Sequence, residues 1–254
     1  MSFLSDIVER KRQRVEEAKQ RFPLEALERR SHSHRLREAL LRDGINIIAE
    51  FKRRSPSKGI IRVDADLKQI AKSYEAGGAV AMSVLTEEDY FSGSLADLRA
   101  AKSIIDLPVL RKDFVVDDYQ LYESAAAGAD AVLLIVAALD DDALLRLRRL
   151  AEDEIGMDAL VEVHDRDEMQ RAVDCGATLI GVNNRNLHTF DVSLETSLSL
   201  AADAPKDAVL VSESGLKTAS DLSRLRDVGY RGFLIGESLM RSDDPATALR
   251  ELIP

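Results

Sequence analysis

IIAEFK, at residues 47–52, is a short apolar run that ends in two charged side chains. The same pattern returns in PVLRKDF at 108–114, ALVEVH at 159–164 and LIGVNNR at 179–185. A strand that only builds a core stays apolar to its end, whereas the parallel strands of a barrel gather polar residues at their carboxyl ends around one pocket. The recurrence therefore predicts a parallel barrel with a polar pocket, which indicates an enzyme.

Eight apolar runs of this kind, rich in Val, Ile and Leu, succeed one another along the chain. They are INIIAEF (45–51), AVAMSVL (79–85), LPVL (107–110), AVLLIV (131–136), ALVEV (159–163), TLIGVN (178–183), AVLVSE (208–213) and RGFLIG (231–236). Such runs suit strands that are buried on both faces. Stretches with helical periodicity separate them, at 67–76, 95–104, 119–127, 140–153, 167–174, 194–202 and 219–227.

This alternation of strand and helix predicts an α/β fold, a (β/α)₈ TIM barrel. Glycine also recurs at the helix end before every second strand, where a left-handed cap is expected. The glycines are Gly77 or Gly78, Gly128, Gly176 and Gly229, ahead of the second, fourth, sixth and eighth strands. A repeat at every second unit indicates a barrel assembled from quarters. An open doubly wound sheet is the alternative architecture, but it does not explain eight units.

Two further helices are predicted before the first strand, at 3–18 and 24–42, with Phe22 and Pro23 between them. We expect them either to pack across one end of the barrel or to reach towards the active site. No Pro/Gly/Ser-rich linker divides the chain, and a hydrophobic fraction of 45% is ordinary for a globular core. We therefore expect one domain over residues 1–254, with residues 1–43 as an N-terminal helical extension.

The formal net charge of -10 argues against nucleic acid as a partner, because nucleic-acid binding rests on clustered cations. Basic residues do cluster at 9–14, 28–37 and 146–149, but their helical spacing with Glu or Leu predicts solvated helix faces. No apolar run is long enough to cross a bilayer, so we expect no membrane partner and a cytoplasmic location. The one cysteine, Cys175, is expected to be a small buried residue at a helix end.

Charged side chains at the strand ends are the candidates for chemistry. Glu50 and Lys52 are two apart and therefore project from the same face of the first strand. If that face points inward, both line the pocket; the alternative is an exposed strand end followed by a basic loop. Lys112 lies between apolar neighbours at the end of the third strand, which makes it a candidate general acid, since partial desolvation lowers the cost of releasing its proton. The alternative is a lysine that pairs with Asp113 or extends to water. Glu162, at the end of the fifth strand, is difficult to explain as a core residue.

The last three strands add an amide, a guanidinium and glycine turns. Asn183 and Arg185 are in register and suit hydroxyl groups and a carboxylate, whereas Asn184 and Asn186 are expected to shape the turn. The segments SESG at 212–215 and LIGES at 234–238 expose backbone N–H groups at adjacent strand ends, the usual phosphate site of such barrels. A phosphorylated substrate is therefore expected.

The chain has four histidines, His32, His34, His164 and His188, and none is at metal-ligand spacing to another likely ligand. We therefore expect no metal. His32 and His34 are expected on the surface. The sequence also lacks a G-x-S-x-G elbow, a P-loop and a strand-linked G-x-G-x-x-G fingerprint. Acid and base side chains must therefore carry the chemistry.

Taken together, IIAEFKRRSPSKG, VLTEEDYFSGS, PVLRKDFVVD, LVEVHD, IGVNNRNLHTF, VSESG and LIGESLM resemble the indole-3-glycerol-phosphate synthase family over about the whole chain. The resemblance implies ring closure of 1-(2-carboxyphenylamino)-1-deoxyribulose 5-phosphate, with loss of CO₂ and water and without a cofactor. It implies that Lys112 is the general acid and Glu162 the base of the later dehydration, with Glu50 and Asn183 as hydrogen-bonding neighbours. Lys52 is expected to hold an anionic group of the substrate or to act as a second acid.

The resemblance also assigns the rest of the pocket. Arg185 is similar to the family's carboxylate-side arginine, and Glu213 and Ser214 to pocket-lining residues. The phosphate is expected against backbone N–H groups of Gly215 and Gly236, with Ser55 and Lys52 nearby. Some relatives have LIGSS where this chain has LIGES, so Glu237 is expected to contribute only its backbone. An apolar wall for the aryl ring is expected from Phe91, Leu110, Phe114, Leu133, Ile135 and Leu187.

Two rival readings remain. A phosphoribosylanthranilate isomerase would share the phosphate loops but use a Cys/Asp pair, where the first strand here offers Glu50 and Lys52. A catalytically silent barrel that serves as an assembly subunit has no need of buried charges at five strand ends. We expect a monomeric enzyme whose partner is a small phosphorylated, anthranilate-derived substrate.

Overall fold

Eight parallel strands close a barrel in this computed structural model, which describes residues 3–27, 33–187 and 189–253. The first strand pairs with both the second and the eighth, so the sheet has no free edge. In chain order the barrel strands are β1 Asn46–Phe51, β2 Ala81–Leu85, β3 Val109–Lys112, β4 Ala131–Ile135, β5 Asp158–Val163, β6 Leu179–Asn183, β7 Val209–Glu213 and β8 Tyr230–Ile235. All eight predicted strands and the predicted TIM-barrel fold are confirmed.

Helices alternate with these strands. They are α1 Phe3–Arg21, α2 Arg35–Leu40, α3 Leu67–Ala76, α4 Leu95–Lys102, α5 Asp118–Ala127, α6 Asp141–Arg149, α7 Arg166–Asp174, α8 Glu195–Leu200, α9 Ala219–Asp227, α10 Glu237–Arg241 and α11 Pro245–Leu252. Short polar side chains begin many of them by accepting a backbone N–H of the first turn, as Asp117 does for α5 and Thr218 for α9. None of the described helices is long and apolar enough to cross a membrane.

The glycine repeat is confirmed as a set of left-handed turns before alternate strands. Gly78, Gly128, Gly176 and Gly229 have φ values of 92°, 89°, 77° and 110°. At the first position the left-handed residue is Gly78 and not Gly77, which still has right-handed helical geometry. Cys175 is buried at the C-cap of α7, as predicted.

The prediction of one helix over 24–42 is wrong for the described residues. Leu24–Ala26 forms a single 3₁₀ turn, residues 28–32 lie outside the described ranges, and α2 covers only Arg35–Leu40. His34 immediately before α2 is left-handed, with φ 49°, so the helix begins after it. Leu36 and Leu40 are completely buried among barrel-interior residues such as Ile48, and α2 therefore packs across the N-terminal end of the barrel.

Three other details depart from the predicted elements. The stretch predicted as helix at 140–153 is α-helical only to Arg149 and continues as a π-helical turn over Leu150–Ile155. The loop after β1 contains a small antiparallel hairpin of Arg54–Ser55 and Gly59–Ile60. After β8 the chain forms α10 and α11, which the periodicity had not identified.

The prediction of a solvated face at 9–14 is wrong for Lys11. Its side chain is only 5% exposed, and its Nζ lies 2.8 Å from Asp113 Oδ1. Helical spacing shows that α1 is amphipathic but not that its polar face packs on charged residues beside β3. As a result α1 lies at the carboxyl end of the barrel, where Leu4 and Ile7 line the cavity described next.

Candidate active site

A cavity of about 830 Å³ opens at the carboxyl end of the barrel. Its wall contains every charged or amide residue that the strand-end pattern had singled out: Glu50, Lys52, Lys112, Glu162, Asn183 and Arg185. These residues come from β1, β3, β5 and β6 and from the chain just after β1 and β6, so closure of the barrel brings together side chains from distant parts of the sequence. The predicted convergence is therefore observed.

Lys112 lies at the centre of the charged group, between two carboxylates. Its Nζ donates to Glu162 Oε2 at 3.1 Å and to Glu213 Oε2 at 2.7 Å. The alternatives considered for Lys112 do not hold, because its side chain is only 12% exposed and Asp113 is bonded to other groups. Glu213 is thus part of the charged centre, a closer involvement than the pocket-lining position expected for it.

Glu50 and Lys52 form a second ion pair, with Lys52 Nζ 2.5 Å from Glu50 Oε1. Their two-residue spacing puts both side chains on the same face of β1, as predicted. Gly236 makes room for Glu50, since a Cβ at that position would lie 2.5 Å from Glu50 Oε1. Gly181 has the same role for Glu213, whose Oε1 would be 2.3 Å from an added Cβ. At both positions a side chain would overlap a carboxylate of the cavity, which explains why glycine is present.

Burial and neighbouring charges shift the pKa values of these groups in different directions. Burial disfavours the charged form of Lys112, but Glu162, Glu213 and Glu50 outweigh it and raise the pKa of the ammonium. Burial also disfavours ionised Glu162, but Lys112 and His164, together with hydrogen bonds from Lys112 and Asn183, lower its pKa. Burial dominates at Glu213 and, with the nearby carboxylates, raises its pKa to about 7. The two partners of Lys112 thus differ in how readily they hold a proton.

The β6 end holds Asn183 and Arg185 in the cavity wall. The Asn183 side chain is hydrogen-bonded to Glu162, and its Oδ1 accepts the Arg185 N–H at 3.0 Å. Arg185 donates from its guanidinium to the Phe190 carbonyl at 3.2 Å, which fixes the cation against its own loop. Asn184 and Asn186 shape the turn as predicted: the Asn184 amide donates to Ser212 Oγ and the Ser214 carbonyl, and Asn186 accepts the Thr189 N–H.

The glycine loops after β7 and β8 lie side by side in the wall. Ser214 and Gly215 both have positive φ, 67° and 81°, so the chain turns sharply and brings its backbone to the cavity. Gly236 precedes α10, and Glu237 accepts from Arg241 at 3.3 Å. Ser55, in the hairpin after β1, also lines the cavity. Sequence reasoning had missed three cations in this wall, Lys58, Lys217 and Arg241, although Lys58 and Lys217 flank glycine turns.

The apolar side of the cavity includes five of the six predicted residues: Phe91, Phe114, Leu133, Ile135 and Leu187. The rings of Phe91 and Phe114 are in contact, with centroids 6.3 Å apart. Leu110 does not line the cavity, because it is completely buried within the barrel interior below it. Leu4 and Ile7 of α1 were missed, and their helical spacing was the available signal.

The histidines are distributed as follows. His164 lies beside Glu162, and His34 contacts Asp158, with Nδ1 3.1 Å from Oδ1, near the N-terminal end of the barrel. His34 is about half exposed, in agreement with the surface position expected for it. His32 and His188 lie outside the described residues. Within residues 3–27, 33–187 and 189–253 no group of three or more His, Cys, Asp or Glu side chains has the arrangement of a metal site.

Comparison with known proteins identifies the family. A profile described as indole-3-glycerol phosphate synthase matches residues 4–252. The chain belongs to the indole-3-glycerol phosphate synthase family. An indole-3-glycerol phosphate synthase from Koribacter versatilis (strain Ellin345) is 54% identical over 210 residues, which are 83% of this chain and 80% of that protein. The chain is therefore a carboxy-lyase of tryptophan biosynthesis that acts on a small phosphorylated substrate, as the indole-3-glycerol phosphate synthase family does.

Solved structures of other proteins share the barrel at low sequence identity. A 3-hexulose-6-phosphate synthase is 15% identical with a TM-score of 0.64, over 82% of this chain and 98% of that one. KGPDC from Streptococcus mutans is 16% identical with a TM-score of 0.61, over 83% and 96%. Thiamine phosphate pyrophosphorylase from Pyrococcus furiosus is also 16% identical with a TM-score of 0.61, over 85% and 95%. These likenesses concern the fold of this chain and not its chemistry.

Proposed function

We propose that this cavity converts 1-(2-carboxyphenylamino)-1-deoxyribulose 5-phosphate into indole-3-glycerol phosphate by general acid–base catalysis, with Lys112 as the acid. The observation that carries the proposal is the position of Lys112 Nζ, in contact with Glu162 and Glu213 at a cavity lined by further cations and apolar rings. A carbonyl must be protonated, a carboxylate oriented and a hydroxyl expelled in this reaction, and the cavity offers a side chain for each task.

In the first step the aryl carbon that bears the carboxylate attacks the substrate carbonyl carbon. Lys112 gives its proton to the carbonyl oxygen, which becomes a hydroxyl as the carbon–carbon bond forms. The bond to the carboxylate then breaks, CO₂ leaves, and its electron pair restores the aromatic ring. The raised pKa of Lys112 keeps the ammonium loaded at neutral pH, so the proton is in place when substrate arrives.

In the second step the hydroxyl takes a proton from the Lys52 ammonium, the second acid of the cavity, and leaves as water, while a proton is removed from the new ring. We assign the removal of this ring proton to Glu162, because the pKa of Glu162 is lowered and the carboxylate stays ionised next to Lys112. Asn183 and Glu50 are assigned as hydrogen-bonding neighbours of the reacting groups, since both line the same cavity. Glu213, with a pKa raised to about 7, is assigned to hold the Lys112 ammonium in position.

Substrate binding is divided among the remaining walls. Lys52 and Arg185 are assigned to the anionic groups; Glu50 and the Phe190 carbonyl hold these two cations in the wall. The phosphate is assigned to the backbone N–H groups at Gly215 and Gly236, next to Ser55. Glu237 contributes only backbone there, because its carboxylate pairs with Arg241. The aryl ring is assigned to the apolar wall around Phe91 and Phe114.

In this proposal one chain supplies both the substrate-binding and the catalytic groups. The reaction requires neither nucleic acid nor a second subunit. The test is a turnover assay with the carboxyphenylamino-deoxyribulose phosphate, followed by the indole fluorescence of the product. We expect the parent to turn over and Lys112→Ala to lose about 10²–10⁴-fold in kcat, the usual contribution of a general acid. Circular dichroism is expected to show that the variant retains its fold.

Lys102→Ala is the matched control, because Lys102 is also a partly buried lysine with a carboxylate partner, Asp130, but lies outside the cavity. It should keep the parent kcat. Absence of product with the folded parent enzyme would refute the reaction, and full activity of Lys112→Ala would remove the assignment of the acid.

A further inference from the structure

His164 follows β5 immediately and lies against Glu162, although it has no role in the steps above. Its Nδ1 is hydrogen-bonded to Glu168 Oε2 at 3.0 Å, whereas its Nε2 is 3.4 Å from Glu162 Oε1 and forms no hydrogen bond among the described residues. The same Glu168 oxygen accepts the His164 backbone N–H at 2.7 Å, so one carboxylate holds both the ring and the chain that carries it. The imidazole is therefore held by Glu168 and faces Glu162 as a charge contact, with 10% of its side chain exposed.

Three carboxylates act on His164. Glu162 comes from its own strand, Glu168 from α7 and Glu213 from the end of β7; Lys112 lies beyond Glu162. Burial disfavours the imidazolium, but the hydrogen bond to Glu168 and the charges of these carboxylates outweigh it and raise the pKa of His164. The ring therefore carries its positive charge more readily than an exposed histidine does, and it directs that charge at Glu162.

His164 contributes to the difference between the two carboxylates that hold Lys112. Glu162 has Lys112, Asn183 and His164 as neighbours, and its pKa is lowered. Glu213 has Lys112 as its hydrogen-bond donor, while its Oε1 is buried without a hydrogen-bond partner among the described residues, and its pKa is raised. Both side chains are almost completely buried. Burial therefore does not distinguish them; the neighbours of Glu162 do, namely the hydrogen-bonded Asn183 side chain and the His164 ring at 3.4 Å.

We propose that His164 is a positioning residue whose imidazolium, held by Glu168, keeps Glu162 ionised and aimed at the cavity as the base. The inference deepens the proposed function and rests on it. His164 itself does not reach the cavity wall, so it acts through Glu162 and does not touch substrate. The resulting order is Glu168, His164, Glu162, in which each group fixes the charge of the next.

The test measures kcat/KM for the carboxyphenylamino-deoxyribulose phosphate as a function of pH in the parent, His164→Gln and Glu168→Gln. An opposite charge at this distance lowers a carboxyl pKa by about 1–3 units, so His164→Gln should raise the apparent pKa of the acid limb by about one unit. At pH values below the acid limbs of both enzymes, this shift corresponds to a kcat/KM about tenfold lower in His164→Gln than in the parent. On the plateau the two enzymes should have similar values. Glu168→Gln, which keeps the ring but removes its anion, should shift the limb in the same direction by less.

His34→Gln is the matched control, since His34 is also a histidine paired with a carboxylate, at 3.1 Å from Asp158, but lies away from the cavity. Its pH profile should coincide with the parent's. A folded His164→Gln enzyme whose acid limb does not move, or whose kcat/KM falls equally at every pH, would overturn the role of His164 while the proposed function stands. A folded parent without turnover would overturn both.

Discussion

The end of β3 carries two buried charged clusters on opposite sides of one chain segment. Lys112 faces the cavity, where it contacts Glu162 and Glu213. Its neighbours Arg111 and Asp113 contact each other on the side of the surrounding helices, and Lys11 of α1 joins them there. We call these the inner cluster (Lys112, Glu162, Glu213) and the outer cluster (Lys11, Arg111, Asp113). Alternation along the strand is enough to separate them.

The outer cluster is fully paired. Asp113 accepts from Lys11 at 2.8 Å, from Arg111 at 3.1 Å, from Thr86 Oγ1 at 2.6 Å and from the Phe114 N–H at 2.8 Å. Its side chain is not exposed at all. Burial disfavours the ionised carboxylate, but Lys11 and Arg111 outweigh it and lower the pKa of Asp113 to about 2. Nothing in this cluster is left to exchange a proton near neutral pH.

The inner cluster differs in composition and in exposure to a ligand. One ammonium serves two carboxylates, and one of these has a buried oxygen without a partner among the described residues. All three inner residues line the cavity, whereas of the outer cluster only Asp113 does so, and its side chain is not exposed. Both clusters consist of charged residues whose side chains are almost completely buried. The difference shows that burial of charge alone does not identify an active site; unequal charge and incomplete pairing beside a cavity do.

The largest expected effect on stability is in the outer cluster. Lys11→Met removes one partner of a buried pair, which leaves Asp113 undercompensated and should lower the free energy of unfolding by about 3–5 kcal/mol. Urea unfolding at pH 7 measures the change. Under conditions where the variant is folded it should retain kcat, in contrast to Lys112→Ala, which should lose kcat and unfold at a denaturant concentration closer to the parent's.

The reason for this contrast is that the inner carboxylates can take up a proton or face the cavity when Lys112 is lost. The Asp113 side chain, by contrast, is not exposed and has a pKa of about 2. Equal losses of stability in Lys11→Met and Lys112→Ala would break the distinction between the clusters. A loss of kcat in folded Lys11→Met as large as that of Lys112→Ala would also break it.

The second expected effect concerns the direction in which stability changes with pH. The pKa of Glu213 is raised from 4.5 to about 7, so the native state binds this proton more tightly than the unfolded state does. Ionisation of Glu213 therefore destabilises the protein progressively as pH rises from about 4.5 to 7. Glu213→Gln should remove this loss and stabilise the protein by up to about 3 kcal/mol above pH 7, with no gain below pH 4.5. Urea unfolding across this range measures it.

Asp113→Asn is the control of opposite sign. Because the pKa of Asp113 is lowered, its ionised form contributes stability above about pH 3.8 that is lost as pH falls towards 2. The variant should therefore be less stable than the parent at pH 7, and the two should converge at low pH. A Glu213→Gln variant that is destabilised at pH 8 would show that the inner carboxylate is stabilising when ionised, as the outer one is.

The sequence predicted the inner cluster better than the outer one, for a physical reason. Strand periodicity and glycine caps are local patterns, and the barrel then places strand ends together whatever their separation in sequence. That reasoning found Lys112 and Glu162. It did not find the contact between Lys112 and Glu213, 101 residues apart, because the pairing of side chains within a pocket depends on rotamers and packing.

The outer cluster escaped prediction because it depends on where α1 packs. Lys11 was expected to be solvated, since helical spacing reveals an amphipathic helix but not the charge on the surface that it covers. Leu110 was expected at the aryl wall from the family resemblance, yet it lies two positions before Lys112 on the strand and therefore one layer deeper in the barrel. His164 was considered only as a metal ligand, because its partner Glu168 has no meaning until α7 is in place.

The smallest expected effect concerns Arg14, one turn after Lys11 on α1. Its guanidinium donates to both oxygens of Asp89, at 2.7 and 2.5 Å, a better geometry than that of Lys11 with Asp113. However, 35% of the Arg14 side chain and 25% of the Asp89 side chain are exposed, so water replaces much of what the pair provides. A double-mutant cycle with Arg14→Ala and Asp89→Ala should give a coupling free energy of about 0.2–1 kcal/mol, the range of exposed pairs. A coupling as large as the loss in Lys11→Met would mean that geometry, and not burial, sets the strength of the contacts between α1 and the barrel.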